Sequence, residues 1–379
     1  MSNGIYLFYL IACIPAIVGL ILFLKSKQVA WQEWAICSAV AFVVSGVMHI
    51  TAFYGMTDDI EMLSGQITSV TYSPAWSEFY TETHTRTVGS GKDAHTEVYT
   101  DTHTAYHPNH WDVHISYGEV QNDVGIDQSF FNEVKGRFGG SVSRTGRQAG
   151  WHGGMCTGGD RHNYSTDNAT GYVYPTTKTQ HFVNKIKAAP TVFSYTKVPT
   201  NIQVHAWPAS GNWLQSSRVI GAPVTPRAFD LMCSRLGPSK LVNVVLINFG
   251  SQASSIAQWQ EAAWVGGKKN DLVLCYGSSG TNTTWSRVFG WTERDVCKRN
   301  LESILLKHPV DDTILPLVEA EIKKSYVIKD WTKFDYITIE PPMWAYIVLI
   351  IMMISTQIGL WCYALTNAMS KEDNPYGSY

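Results

Sequence analysis

Residues 5–24 read IYLFYLIACIPAIVGLILFL, 20 positions without a charged side chain. As a helix rising ~1.5 Å per residue, such a stretch is about 30 Å long, the thickness of a bilayer's hydrocarbon core. Pro15 falls inside it, which membrane helices tolerate because neighbouring groups satisfy the freed backbone carbonyl. Two further windows share this character: 34–54 (WAICSAVAFVVSGVMHITAFY) and 344–365 (WAYIVLIIMMISTQIGLWCYAL), the last entered through Pro341 and Pro342. Trp344, Tyr346, Trp361 and Tyr363 lie near the ends of the third window, where amphipathic rings favour headgroup level. A cleaved signal peptide would need a basic segment before the first run, and Met1-Ser-Asn-Gly4 has none. A buried core helix of a soluble domain is the other alternative, and uncharged runs of this length are unusual there. The windows therefore predict three transmembrane helices, two N-terminal and one C-terminal.

The rest of the chain is polar. Net formal charge over the 379 residues is −2, so no global field draws the protein to nucleic acid. Lys25 and Lys27 separate the first two windows, Lys371 follows the third, and Thr57-Asp58-Asp59 follows the second. The positive-inside rule then puts the first loop and the C-terminus in the cytoplasm and residues 56–340 outside, in the periplasm of a Gram-negative host. His49, within the second window, is an ionisable group in a membrane helix, or an outer-end side chain that hydrogen-bonds there. Of the seven cysteines, Cys156, Cys233, Cys275 and Cys297 belong to the polar region. No CxxC pair occurs, so they read as buried thiols or as disulfides of an oxidising compartment.

The polar region divides by pattern into a β-rich part, 56–224, and an α/β part, 225–335, before the C-terminal segment 336–379. Gly65–Tyr72 alternates as a strand does. Glu78–Thr87 and His95–Thr104 are rich in Thr and Tyr and flank the turn signal Gly89-Ser90-Gly91-Lys92-Asp93, so the pair reads as a hairpin. A turn centred near Ser90 would set Glu78 opposite His103, Glu82 opposite Tyr99 and His84 opposite Glu97. That face would also carry Arg86, His95 and Asp101, and the other face a threonine ladder. With both faces polar, the hairpin is expected to project into solvent. Six of the 12 histidines fall between His84 and His114. Histidines beside carboxylates can hold zinc or another divalent transition metal, and His84, Glu97, His103 and His107 are the candidate ligands. The plainer reading is a solvated hairpin whose histidines titrate near neutrality. The spacing His103, His107, His110, His114 suits a helix, but Pro108 opposes one. Trp111–Tyr117 reads as a strand and Gly139–Gly171 as a long surface loop. Neither GxxxxGK[ST] nor GxGxxG after a strand is present, so no nucleotide cofactor is implied. Asn163, Asn168 and Asn282 begin glycosylation sequons that matter only in a eukaryotic secretory host.

From Thr225-Pro226, an N-cap followed by Pro at the first helical position, a helix is predicted to Leu236, stopped by Gly237-Pro238. Leu241–Phe249 (LVNVVLINF) is a continuous apolar run, expected of a strand buried on both faces. Ser254 or Ser255 caps a helix ended by Gly266-Gly267. Asp271–Tyr276 is a second buried strand and Ser286–Trp291 a third. Helices follow from Thr292-Glu293 to His308 and from Asp311-Asp312 to about Tyr326. This order gives helices packed on a small sheet. The predicted fold class is thus membrane-anchored α+β.

The stretches GPSKLVNVVLIN (237–248), EAAWVGGKKNDLVLCYG (261–277) and TWSRVFGWTERDVCKRNLESILLKH (284–308) resemble TPM-type domains. With HPNHWDVHISYGE (107–119) and HFVNKIKAAPTVF (181–193), the span of residues 60–345 resembles uncharacterised membrane proteins of large tailed bacteriophages. The TPM resemblance implies either a phosphatase or an assembly factor for membrane complexes. A phosphatase needs a nucleophile or activated water and a cation for the phosphoryl group, for which Glu261, Asp271, Arg287 and the Lys268-Lys269 pair are candidates. No acidic cluster with metal-ligand spacing accompanies them, and Lys268–Asp271 reads more simply as a helix-to-strand turn. The expectation is a non-enzymatic, phage-type membrane protein in the host inner membrane, binding lipid and either a protein partner or copies of itself. A tethered phosphatase-like hydrolase and a metal-binding envelope protein are the alternatives.

Overall fold

A computed structural model describes residues 3–26, 31–118, 121–144, 150–152, 155–157, 162–189, 195–208 and 217–372. The chain is α+β. It begins with helices α1 (Asn3–Ser26) and α2 (Trp31–Thr57) and continues without a break into strand β1 (Asp58–Ser73). Next come β2 (Trp76–Val88), β3 (His95–His107), β4 (His110–Ser116), β5 (Gln121–Ile126) and helix α3 (Gln128–Arg137). Short strands β6 (Ser143–Arg144), β7 (Met155–Thr157) and β8 (Tyr164–Asp167) precede β9 (Pro175–Val183) and the single turn α4 (Lys185–Ala188). The remaining elements are β10 (Val219–Ile220), α5 (Pro226–Lys240), β11 (Asn243–Asn248), α6 (Ser255–Ala263), β12 (Asp271–Ser279), β13 (Asn282–Gly290), α7 (Asp295–Lys307), α8 (Leu315–Ser325) and α9 (Met343–Glu372).

Two compact units result, one of residues 1–60, 181–197 and 330–379, the other of 61–180 and 198–329. In the first unit, α1, α2 and α9 pack through small residues. Ala41, Ala52 and Ala345 are buried with Leu349 and Met353, the small-residue contact that lets helix backbones approach. Trp34 donates its indole N–H to the Ala16 carbonyl at 2.8 Å, and a Cβ on Gly19 would meet that ring at 2.8 Å, so glycine is needed there. His49 hydrogen-bonds the Tyr9 hydroxyl at 3.0 Å, giving this imidazole of an apolar helix a partner. Among the described residues Trp34–Thr57 alone is long and apolar enough to cross a membrane; the apolar stretches Tyr9–Ile21 and Met343–Thr356 are shorter. Beside α2, Asn184 donates through its side chain to Asp59 at 2.8 Å, and Lys185 reaches Asp335 at 2.9 Å.

In the second unit, β5-β4-β1-β8-β6 form one sheet, with β9 also paired to β1. Val70 faces Val113, Ile67 faces Ile115, and α3 covers their buried face with Phe131 and Val134. Asp127 caps α3 by accepting from the Phe130 amide at 2.8 Å. The predicted long loop 139–171 is only partly a loop, since Tyr164–Asp167 pairs with β1 in register Val70↔Thr166. Its polar residues hid a short strand that lies between β1 and β6.

The second sheet runs β10-β11-β12-β13, with the first three parallel and β13 antiparallel. Alternation explains the unbroken apolar run of β11. Val244 and Leu246 join Leu272 and Leu274 against α5, α7 and α8, whereas Val245 and Ile247 join Val273 and Cys275 against α6. β11 and β12 are thus buried on both faces, as the inner strands of a sheet layered between helices are. Truncating Leu274 to Ala would cost about 2–5 kcal/mol in this packing. Helix α5 does not stop at Gly237-Pro238 but runs to Lys240, ending with Leu241 at φ 52° and its amide bonded to the Gly237 carbonyl at 2.8 Å. Pro238 lies in the last turn, where its missing N–H forfeits a single helical bond. Gly237 is required by contact, because a Cβ would lie 2.0 Å from the Ser64 carbonyl oxygen. Cys233, Cys275 and Cys297 are buried free thiols. The side chain of Cys156 lies outside the described residues.

Candidate metal centre

The β2–β3 hairpin forms, but its register differs by two residues from the sequence expectation. Glu82 faces Asp101, His84 faces Tyr99, Tyr80 faces His103 and Arg86 faces Glu97. The turn includes a short 3-10 segment, Gly91–Asp93, which moves its centre toward the C-terminal side. A slip of two preserves which face each side chain occupies, whereas a slip of one would have inverted it. The mixed face of His, Glu, Asp and Arg and the opposing threonine ladder therefore survive, and both are largely exposed from Thr81 to Thr104.

Glu82, His84 and His103 converge on this face, with one ligand atom from each within 4.8 Å of the others. His84 Nε2 is 3.6 Å and His103 Nε2 is 3.8 Å from the same oxygen, Glu82 Oε2. Asp101 Oδ2 lies 3.9 Å from His84 Nε2, which makes it available as a fourth ligand. A tetrahedral ion with bonds of ~2.0–2.1 Å separates its ligand atoms by about 3.4 Å, a little less than the 3.6 and 3.8 Å between Glu82 and the two imidazoles. Strand periodicity builds the arrangement: Glu82 and His84 are two apart on one strand, and cross-strand pairing brings His103 diagonally alongside.

Two of the expected ligands are placed elsewhere. Glu97 is taken by Arg86, whose Nη2 reaches it at 2.9 Å, because the shifted register makes them direct partners. His107 lies at the base of the hairpin beside Glu78, 3.3 Å away. Glu82, which replaces them in the cluster, was legible on the correct face but not as a ligand. A second constellation had no sequence signal, since it joins Glu78 to residues more than 70 positions on. Glu78 is fully buried and accepts from the Trp151 and His152 amides at 3.1 and 2.6 Å, with the His152 ring 3.3 Å away.

The three predicted catalytic residues do not share a site. Arg287 Nη2 pairs with Glu261 Oε2 at 2.7 Å between β13 and α6. Asp271 begins β12, whereas Arg287 sits opposite Cys275, four residues along, which is about 13 Å of strand. Asp271 is fully buried, and its carboxylate accepts from Asn243 Nδ2, Trp207 Nε1 and the Lys268 amide, each at 2.8 Å. Burial pushes its pKa up, against those three hydrogen bonds. Such a group ties a turn to a strand. Lys269 extends to Glu61, 3.9 Å away, rather than to Asp271. No family model matches the chain, and neither the curated proteins nor the solved structures contain a match.

Proposed function

We propose that the chain is a three-span membrane protein of the phage type, held in a host inner membrane, whose residues 56–340 form a non-catalytic interaction domain on the outer side. The observation that carries this reading is the apolar surface of α1, α2 and α9. Leu10, Ile17, Ile36, Val43, Val47, Ile347, Ile351 and Ile358 are each more than half exposed. Contiguous apolar surface on this scale is unfavourable in water and natural in lipid. α2 carries the span-length apolar stretch Trp34–Thr57, and the shorter apolar stretches Tyr9–Ile21 and Met343–Thr356 lie within α1 and α9, helices of 24 and 30 residues. The separation of Glu261 and Arg287 from Asp271 weighs against the phosphatase alternative that the TPM resemblance raises. Spans at both ends of the domain limit how far it swings from the bilayer, which suits contact with a neighbouring membrane protein or a second copy.

Alkaline carbonate extraction of membranes from expressing cells, followed by protease treatment of intact spheroplasts, tests the proposal. The chain is expected to stay in the pellet and to lose residues 56–340 to external protease. Release into the supernatant, or full protection of that region, overturns it.

The cluster Glu82–His84–His103 supports a second reading, in which the projecting hairpin binds a divalent transition metal. Two imidazoles and two carboxylates suit zinc, copper or nickel better than calcium or magnesium. The two readings are compatible, because a metal shared between hairpins is one way for copies to associate.

A further inference from the structure

β10, β11 and β12 run parallel, and the turns beyond their carboxyl ends pass through Gly221, Gly250 and Gly280 at φ of 67°, 58° and 62°. Such left-handed turns are open to glycine without strain, and at Gly250 and Gly280 no atom lies within 4 Å of where a Cβ would be. Open α/β sheets take ligands outside the carboxyl ends of their parallel strands, chiefly where the strand order reverses; here the order β10-β11-β12 does not reverse, and the end of the sheet is marked by its glycine turns instead. At that end lies a cavity of about 340 Å³ lined by Asn248, Tyr276, Ser278, Thr281, Thr283 and Asp311. Pro223 and Pro309 supply apolar walls.

The lining is ordered by its own hydrogen bonds. Asn248 donates to the Gly221 carbonyl at 3.2 Å and accepts from the Gly250 amide at 2.9 Å and the Ser278 hydroxyl at 3.1 Å. Thr225 donates its amide and hydroxyl to Asp312, both at 2.6 Å, which ties the loop after β10 to the turn before α8. Asp311 accepts from the Thr313 amide and hydroxyl through Oδ1, so Oδ2 is left as an acceptor. Against this background one group is anomalous. Tyr276 lines the cavity and is 2% exposed, and its buried hydroxyl has no hydrogen-bond partner among the described residues. Buried hydroxyls are almost always paired, so an unpaired one on a residue that lines a cavity singles that cavity out as a candidate ligand site. Burial pushes its pKa up to about 12, so it stays a phenol and can donate.

The chemistry of the lining narrows the ligand. None of the described residues around the cavity is Lys, Arg or His, and Asp311 contributes a negative charge, which disfavours phosphates and carboxylates. Four hydroxyls, an amide and a carboxylate beside tyrosine and proline faces match a ring that is apolar on its faces and hydroxylated at its edge. We propose that this cavity binds a neutral saccharide unit of pyranose size, with the Tyr276 hydroxyl donating to one of its hydroxyls. The inference is independent of both the metal reading and the membrane reading.

The test uses the full chain in a detergent without a sugar headgroup. Saturation-transfer NMR and calorimetric titration would employ methyl α-D-glucopyranoside, methyl α-D-galactopyranoside, N-acetylglucosamine and chitotriose, with inorganic phosphate as control. Saturable binding of at least one sugar, and none of phosphate, is expected. Tighter binding of chitotriose than of the monosaccharides assigns the site to a glycan chain, and equal binding assigns it to free sugar. Tyr276→Phe removes only the hydroxyl and should weaken binding about three- to tenfold, without lowering the unfolding temperature. Thr281→Trp, at the exposed rim, should abolish binding in a folded protein. No saturable signal from any sugar, or binding unchanged in both variants, overturns the proposal.

Discussion

Glu78 Oε2 lies 3.3 Å from Nε2 of His107, and that imidazole stacks on Trp76 with ring centroids 4.0 Å apart. The fully buried carboxylate thus joins the base of the solvent-facing hairpin to the turn at Trp151-His152, whose two amides it accepts. Glu78→Ala would leave both amides without their acceptor. At about 1 kcal/mol for each donor, the low end of the range because Trp151 and His152 are exposed, the cost should be roughly 2 kcal/mol. Glu78→Gln keeps an acceptor and should cost less than half of that. Thermal unfolding of the two variants, with limited proteolysis at residues 150–152, checks the order. An alanine variant as stable as the parent would show that the turn does not depend on this residue.

Arg218 offers a sharper loss. Its guanidinium is 1% exposed, pairs with Asp230 at 2.5 Å and also bonds the Ser64 hydroxyl. A buried pair is worth little net of desolvation, but removing one member strands the other charge at a cost of about 3–5 kcal/mol. Asp230→Ala should therefore destabilise far more than the double variant Arg218→Met/Asp230→Leu. Denaturant titration of the single and double variants measures this. Additive losses would contradict the pairing.

What the sequence revealed followed its local periodicities. The run 241–249 announced a strand covered on both faces, and the alternation of Val244 and Leu246 with Val245 and Ile247 bears that out. The hairpin was legible from its threonines and its turn, and its faces were right because side-chain direction has a period of two. Its register was not legible, because a polar hairpin lacks a buried stripe to count against and the 3-10 turn adds length that composition does not show. Helix α5 outran Gly237-Pro238 because its last turn packs against Ser64, which lies 173 positions earlier and leaves no local trace. The metal cluster was half legible: His84 and His103 were named, but Glu82 could not replace Glu97 until the register was known. Asp271 was legible as part of a helix-to-strand turn and as a candidate for chemistry, and only the fold shows the three donors converging on it.

Two carboxylates in the second unit should respond to pH in opposite directions. Glu319 is held below the ordinary carboxylate pKa, chiefly by its hydrogen bonds from Arg235, at 2.9 and 2.6 Å. Its contribution is therefore present above the unfolded pKa and is lost as pH falls through the lower folded value. Glu61 is raised, chiefly by burial, against the hydrogen bond from Gln180. It destabilises the fold when ionised, and stability is regained as pH falls from its raised pKa toward the ordinary one. Glu319→Gln should lower stability at neutral pH by about 1 kcal/mol, a modest figure because Arg235 is water-exposed, and should flatten the acid limb. Glu61→Gln should leave neutral stability unchanged or higher and remove the gain on mild acidification. Unfolding temperatures across the acid range, read for each variant against the parent, decide both; matching slopes would refute the assignments.

The hairpin makes the most specific claim about a ligand. Zinc or nickel titrated into the purified chain should bind with a stoichiometry near one, because Glu82, His84 and His103 already sit within 4.8 Å of each other. His84→Ala and His103→Ala should each weaken binding by at least about tenfold, the usual consequence of losing one ligand of few. Glu97→Ala should not weaken it, since Glu97 serves Arg86 instead. Glu82→Gln separates coordination from charge attraction: it keeps the side chain's shape but removes the anion shared by both imidazoles, and should fall between the extremes. Metal ligation competes with protonation of the rings, so affinity should drop on moving from about pH 7.5 to about pH 5.5. Calorimetry at both pH values reads affinity and proton release together. Equal loss of affinity in the Glu97 and His103 variants would place the ion elsewhere on the hairpin, and stoichiometry far below one would leave the cluster a solvated polar face.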